Sequence, residues 1–181
     1  HVDFCAEMER TLQVLDYAIL VISGADGVQG HTQTLWKLLK RYRIPTFIFV
    51  NKMDQPGTDE VMLMEELKKR LDSNCIDFTV RSEDEEWLEQ IAMCEEELLE
   101  QYLEEGTIDE NRIAGLIRER KVFPCYFGSA LKMTGVQEFL TDMEKNMQMP
   151  SYPDKFGAKV FKIARDHQGN RLTYMKITGG S

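Results

Sequence analysis

Three unbroken runs of β-forming residues, each followed by a stretch of helical period, restrict this chain to one broad architecture. The runs are Tyr17-Ala18-Ile19-Leu20-Val21-Ile22, Thr46-Phe47-Ile48-Phe49-Val50 and Val122-Phe123-Pro124-Cys125-Tyr126-Phe127. The first shows no apolar–polar alternation, which predicts a strand covered on both faces. Leu35, Leu38, Leu39 and Tyr42 then mark a helix reaching Arg43, where Pro45 stops it. Met62, Leu67 and Leu71 mark another, starting near Gly57-Thr58. Strand–helix–strand–helix order of this kind implies an α/β fold, a parallel sheet with flanking helices.

The remaining stretches fill in the plan. Phe4, Met8, Leu12 and Leu15 recur at helical spacing, so an amphipathic helix is expected over residues 3–14. A short strand is expected over Ile76-Asp77-Phe78-Thr79-Val80. Ser82-x-x-Glu85 reads as a capping box opening one long helix, with Trp87, Ile91, Cys94, Leu98 and Tyr102 on a single stripe until Gly106. Thr107-x-x-Glu110 reads as the cap of a further helix containing Ile113, Leu116 and Ile117. These helices form an insertion, about residues 74–120, before the third run. Pro124 cannot donate to a ladder, which suits an edge strand. Val136 to Met147 is a final helix, and Pro150-Ser151-Tyr152-Pro153 begins a linker over 150–156. Residues 157–181 read as a β-hairpin turning at Asp166-His167-Gln168-Gly169-Asn170. Two strands alone are marginal in water, so the hairpin is expected to start a larger sheet or barrel.

Composition narrows the function. With 181 residues and 43% hydrophobic content, a full core is within reach. No run approaches the ~20 apolar residues of a membrane helix. Four scattered cysteines (Cys5, Cys75, Cys94, Cys125) have no zinc or redox spacing and suit a reducing cytoplasm; with only three histidines, no metal site is expected. Net charge is −9, yet Glu83 to Glu105 alone hold eleven acids and no base, so the rest of the chain carries +2. The acids read first as a solvated helix face. Trp36 and Trp87 read as packing residues.

The chemistry concentrates at the ends of two strands. Asn51-Lys52-Met53-Asp54 directly follows the second run. Guanine presents two donors on one edge, N1–H and the exocyclic N2–H₂, and a fixed carboxylate such as Asp54 can accept both in a forked, charge-assisted pair. Adenine offers no such pair and would leave the carboxylate desolvated. Lys52 would lay its aliphatic stem along the base, and Asn51 would tie the loop to neighbouring backbone. The third run ends in Gly128-Ser129-Ala130-Leu131, whose small residues allow close backbone approach, so that the Ala130 N–H could reach the guanine O6. The plainer reading of that segment is a strand-to-helix turn with Ser129 or Thr134 capping the next helix.

Taken together, these motifs resemble the translational GTPases, specifically the elongation factor G branch and the ribosomal-protection proteins that confer tetracycline resistance. His1-Val2-Asp3-Phe4 resembles the end of that family's Asp-x-x-Gly-His-Val-Asp-Phe segment. Gly27-Val28-Gln29, the Asn51–Asp54 loop and Gly128-Ser129-Ala130 follow in the family's order, and Val160-Phe161-Lys162-Ile163 is similar to the first strand of its β-barrel second domain. The resemblance implies residues 1–149 as the C-terminal part of a GTPase domain and 157–181 as the start of the barrel. It implies GTP or GDP with Mg²⁺ as ligands, the ribosome as partner, and His1 as the residue orienting the attacking water. It also implies that the acidic insertion could meet a ribosomal stalk protein. The short path from Pro150 to Phe156 favours the protection type over elongation factor G; a nonenzymatic ribosome-binding module is the remaining alternative. No Gly-x-x-x-x-Gly-Lys-Ser/Thr occurs in the sequence, so the phosphate cradle, its Mg²⁺ ligand and hydrolysis are not expected of this chain by itself. Without the strand that carries that cradle, the edge of the Tyr17–Ser23 strand is expected to be open to self-association.

Overall fold

The computed structural model of the chain describes residues 3–79 and 85–180. They form two compact units. Residues 17–148 make the larger one, around a four-stranded, all-parallel sheet. Its strands are β1 (Ala18–Ser23), β2 (Thr46–Asn51), β3 (Cys75–Asp77) and β4 (Phe123–Phe127), in the spatial order β1-β2-β4-β3. Helices α2 (Gly30–Arg41) and α3 (Glu60–Arg70) connect the first three strands. Helices α4 (Glu85–Ala92), α5 (Glu96–Glu105) and α6 (Glu110–Arg118) separate β3 from β4, and α7 (Val136–Asn146) follows. The five residues of β4 and the first five of β2 are buried, as strands between two helical layers must be. Phe47, Phe49, Phe78, Trp87, Tyr126 and Phe139 dominate the core on the insertion side.

Pro124 is not on an edge. β4 runs between β2 and β3, with Ile76 opposite Pro124. Phe123 N–H donates to Asn74 O at 3.0 Å, and Phe78 N–H to Cys125 O at 2.8 Å, so the bonding groups of Phe123 and Cys125 face β3. In a parallel strand the next residue faces the other way. Pro124 therefore turns its ring nitrogen toward β2, where pairing starts only at Ile48 opposite Cys125. The missing donor falls one residue before the ladder that would have needed it.

β1, expected to be covered on both faces, alternates: Leu20 and Ile22 are buried, whereas Ile19 and Val21 are 44% and 60% exposed. β1 is an outer strand, bonded only to β2 among the described residues. The single long helix expected from Glu85 is two helices, α4 and α5. Both halves of the stripe are buried as expected at Trp87, Ile91, Leu98 and Tyr102. Between them Glu95 adopts an extended backbone (φ −150°, ψ 130°). Its carboxylate, 14% exposed, bonds the Arg112 guanidinium and Lys121 Nζ (2.5 Å). Two cations from outside the helix thus meet the carboxylate at the break.

Cap residues also differ from expectation. Asp59, not Gly57-Thr58, caps α3 by accepting from Met62 N–H at 2.9 Å, and Met62 itself is exposed. Asp109, not Thr107, caps α6 by accepting from Asn111 N–H. Gly135 (φ 73°) occupies the cap position of α7, in place of Ser129 or Thr134. Val80 and Ser82 lie outside the described residues.

The smaller unit combines α1 (Asp3–Leu12) with the antiparallel pair β5 (Gly157–Arg165) and β6 (Arg171–Gly179). The expected turn is held by Asp166, which accepts from Gln168 and Asn170 N–H at 2.9 and 2.8 Å. Lys159 Nζ donates to Gln13 O (3.0 Å), and Lys176 Nζ to Val14 O (2.9 Å) and Asp16 Oδ1 (2.5 Å), just beyond the C-terminal end of α1. Cations there meet the carbonyls and negative dipole end of a helix.

Candidate functional site

The two loops singled out in the sequence leave the sheet side by side. Val50 pairs with Phe127, and Gly128 N–H donates to Val50 O at 3.0 Å, so each loop begins where β2 and β4 end in register. Met53 N–H then donates back to Gly128 O, also at 3.0 Å. Gly128 is required here by space. A Cβ built on it would stand 2.3 Å from Thr134 O and 3.0 Å from Phe49 Cζ. The close approach comes from reciprocal bonds between Ser129 and Thr134, N–H to O at 3.0 Å both ways, which fold the loop back on itself.

Asn51 is the tie that the sequence reading expected. Its Oδ1 accepts from Lys52 N–H (2.8 Å) and, 79 residues away, from Ala130 N–H (2.9 Å). The Ala130 amide, expected to reach a base carbonyl, is therefore engaged by Asn51 in this structure. Lys52 sits in the left-handed region (φ 67°), which turns the loop sharply. Thr58 braces it from beneath, with Oγ1 2.9 Å from both Met53 O and Gln55 O. Gly24 N–H donates to Asn51 O at 2.7 Å and anchors the loop to the end of β1.

Asp54 lies at the meeting point. Its carboxylate lies beside the buried Ser129 hydroxyl, and Lys132 Nζ stands 3.7 Å from Oδ2. The Ser129 bond, with help from the backbone and Lys132, holds the Asp54 carboxyl below its ordinary value of 3.8, against the opposing effect of desolvation. The group is thus a fixed, ionised, acceptor-only fork. Leu131 projects from the same loop at 89% exposure, and Lys52 is also exposed. All six residues named for base reading come together; His1 lies outside the described residues. Sequence reasoning missed Lys132 and Thr58. Both are short-range neighbours of the motifs, but only the loop's fold shows which way they serve.

Replacing Ser129 with Ala removes the largest cause of the Asp54 shift. A carboxyl depressed in the folded state adds stability above its unfolded value and loses it as pH falls through the folded one. The wild-type chain is therefore expected to keep Asp54 ionised to lower pH than Ser129→Ala does. A carboxyl ¹³C titration checks this, and identical midpoints would exclude the Ser129 bond as the cause.

Metal ligation is a separate matter. Among the described residues no group of three or more His, Cys, Asp or Glu side chains could hold a metal ion. The described residues therefore furnish no magnesium site.

Paired loops at the carboxyl ends of adjacent parallel strands place the chain among the open α/β domains that bind ligands at that end of the sheet. The model of the elongation factor Tu GTP binding domain matches residues 1–149, and the chain belongs to that family of translational GTPases. It is similar to the tetracycline resistance protein TetO of Streptococcus pneumoniae and to that of Streptococcus mutans. Each is 32% identical over 201 aligned residues, which cover 100% of this chain and 31% of the relative. The chain thus spans about a third of the length of these curated relatives. A crystal structure from Thermus thermophilus shares the fold, with a TM-score of 0.82 and 22% identity over 99% of this chain and 34% of that one. No helix among the described residues is long and apolar enough to cross a membrane.

Proposed function

We propose that this chain is the guanine-reading part of a ribosome-dependent GTPase of the tetracycline-protection type. The observation that supports it is the convergence of Asp54, Ser129, Asn51 and Ala130 from two separate loops onto one spot. Asp54 supplies the forked acceptor for N1–H and N2–H₂. Lys52 and Leu131 are placed to cover the faces of the base, and Asn51 and Thr58 keep the fork in place. Such a site reads the base and leaves phosphates to other parts of the protein. His1 is the proposed orienter of the attacking water, and the acidic α4–α5 segment a proposed contact for a ribosomal stalk protein. The open edge of β1 is a proposed place for another strand to pair.

The TetO likeness and the short 150–156 connection favour drug protection over translocation. In the full-length protein, GTPase activity is expected to rise at least tenfold on adding ribosomes, and bound tetracycline to be released from them. Steady-state hydrolysis and labelled-drug release measure the two effects. A protein that promotes translocation and releases no drug would overturn the protection assignment. One indifferent to ribosomes would overturn the wider reading.

A further inference from the structure

A cavity of about 890 Å³ opens where β3 and β4 end, lined also by the inserted helices and α7. Its inner lining is apolar and aromatic. Phe78 follows β3, Tyr126 lies in β4, Trp87 comes from α4 and Ile113 from α6, and all four are buried. The Phe78 and Trp87 rings meet edge to face, with centroids 5.0 Å apart. Trp87 Nε1–H donates to Asp77 O at 2.9 Å, which fixes the indole against β3. Thr134 and Gly135, just past the base-reading loop, form part of the wall, but Asn51, Asp54, Ser129 and Ala130 do not line the cavity. It is a different space from the one that reads the base.

The outer lining is dominated by one sign of charge. Among the described residues, Glu60, Glu110, Glu138 and Asp142 bring four carboxylates against the ammonium of Lys145. They come from α3, α6 and α7, and Glu138 and Asp142 stand one turn apart on the same face of α7. Among the described residues no three carboxylates gather as a metal ion requires. Carboxylates spread around an opening act on a cation as a field, and aromatic faces add to the attraction. A small hydrated ion gains nothing from the apolar interior, which offers no replacement for its water. Size completes the match, since sites for small organic molecules run to about 300–1,000 Å³ and are mostly apolar with a few polar groups.

We propose that this cavity is a second binding site, for a small organic cation with an aromatic body, of the arylalkylamine class. The aromatic body enters against Phe78, Trp87 and Ile113, and the ammonium stays at the mouth among Glu60, Glu138 and Asp142. An anion of the same shape is repelled by the same carboxylates. Each exposed charge pair changes an equilibrium by about two- to five-fold, so several together set the preference.

The test uses the full-length protein and three probes on one ring system. Tryptamine carries an ammonium, tryptophol a hydroxyl and indole-3-propionate a carboxylate. Calorimetry gives the affinities. The ¹⁵N signal of the Trp87 indole, assigned with Trp87→Phe, gives the place, and that of Trp36, which does not line the cavity, is the control. Tryptamine is expected to bind with a dissociation constant of about 1 mM or below. It should bind about tenfold more tightly than tryptophol, and more tightly still than indole-3-propionate. The Trp87 signal moves and the Trp36 signal stays. Glu60 and Glu138 are exposed, so the double variant Glu60→Gln, Glu138→Gln keeps the fold, as circular dichroism verifies. It is expected to weaken tryptamine about five-fold and to leave tryptophol unchanged. Equal affinities for the three probes, a tighter carboxylate, an unmoved Trp87 signal, or wild-type tryptamine binding in the double variant would each overturn the site.

Discussion

Asp54→Asn in the full-length protein is expected to lose guanine nucleotides by about 10²- to 10⁴-fold while gaining xanthine nucleotides by at least about tenfold. The carboxylate accepts from two guanine donors, and each charge-assisted bond contributes about 1.5–3 kcal/mol. An amide keeps one acceptor and turns the other position into a donor, which now faces the guanine N2 amino group. Xanthine carries a carbonyl at C2 and accepts from that new donor. The loop itself should survive, because Asn51 rather than Asp54 bonds the Ala130 amide. Calorimetric titration with GDP and XDP checks both limbs. Unchanged affinities for both would show that residue 54 does not read the base.

Arg120→Ala is expected to cost the folded state about 3 kcal/mol. Arg120 follows α6, and its guanidinium reaches back across the sheet. It donates to Ile44 O and, at 3.2 Å, to Thr46 Oγ1, at the entry to β2. Its Cζ lies 5.2 Å from the Trp36 ring centroid and 4.9 Å from that of Phe123, so one cation joins α2, β2, β4 and the insertion. Burial pulls its pKa down, and Asp72 opposes that pull. A charged hydrogen bond to a buried carbonyl contributes about 1.5–3 kcal/mol, and each cation–π contact about 0.5–1. Arg120 also holds a left-handed backbone (φ 63°), so Arg120→Gly should recover about 0.5–1 kcal/mol relative to Ala by relieving the Cβ. Urea unfolding of the three proteins gives the order directly. A loss below about 1 kcal/mol in Arg120→Ala would mean the clamp does not operate in solution.

Neither Arg120 nor Lys132 stood out as a sequence letter, and the reason is the same. Each acts on groups brought close by β-strand neighbours far away along the chain. Ile44 is 76 residues from Arg120, and Asp54 belongs to a different loop from Lys132. The Asn51 and Asp54 motif was legible because base recognition demands fixed residue types at fixed spacing after a strand. Ser129 and Ala130 were legible because close backbone approach demands small side chains. The break at Glu95 was not legible, since an unbroken apolar stripe is compatible with one helix until Arg112 and Lys121 pull the carboxylate aside.

Local sequence by itself determined the elements and the chemistry: where strands and helices form, which loops follow them, and which side chains can match the donors of a purine edge. These follow from propensity, period and functional-group inventory, all short-range along the chain. Tertiary structure alone decided that Pro124 lies inside the sheet, that Ile19 and Val21 face outward, that the Ala130 amide is held by Asn51, and that Lys132 shares Asp54 with Ser129. Strand order and register set those outcomes. They are chosen by the packing energy of the whole core, which no single stretch of residues encodes.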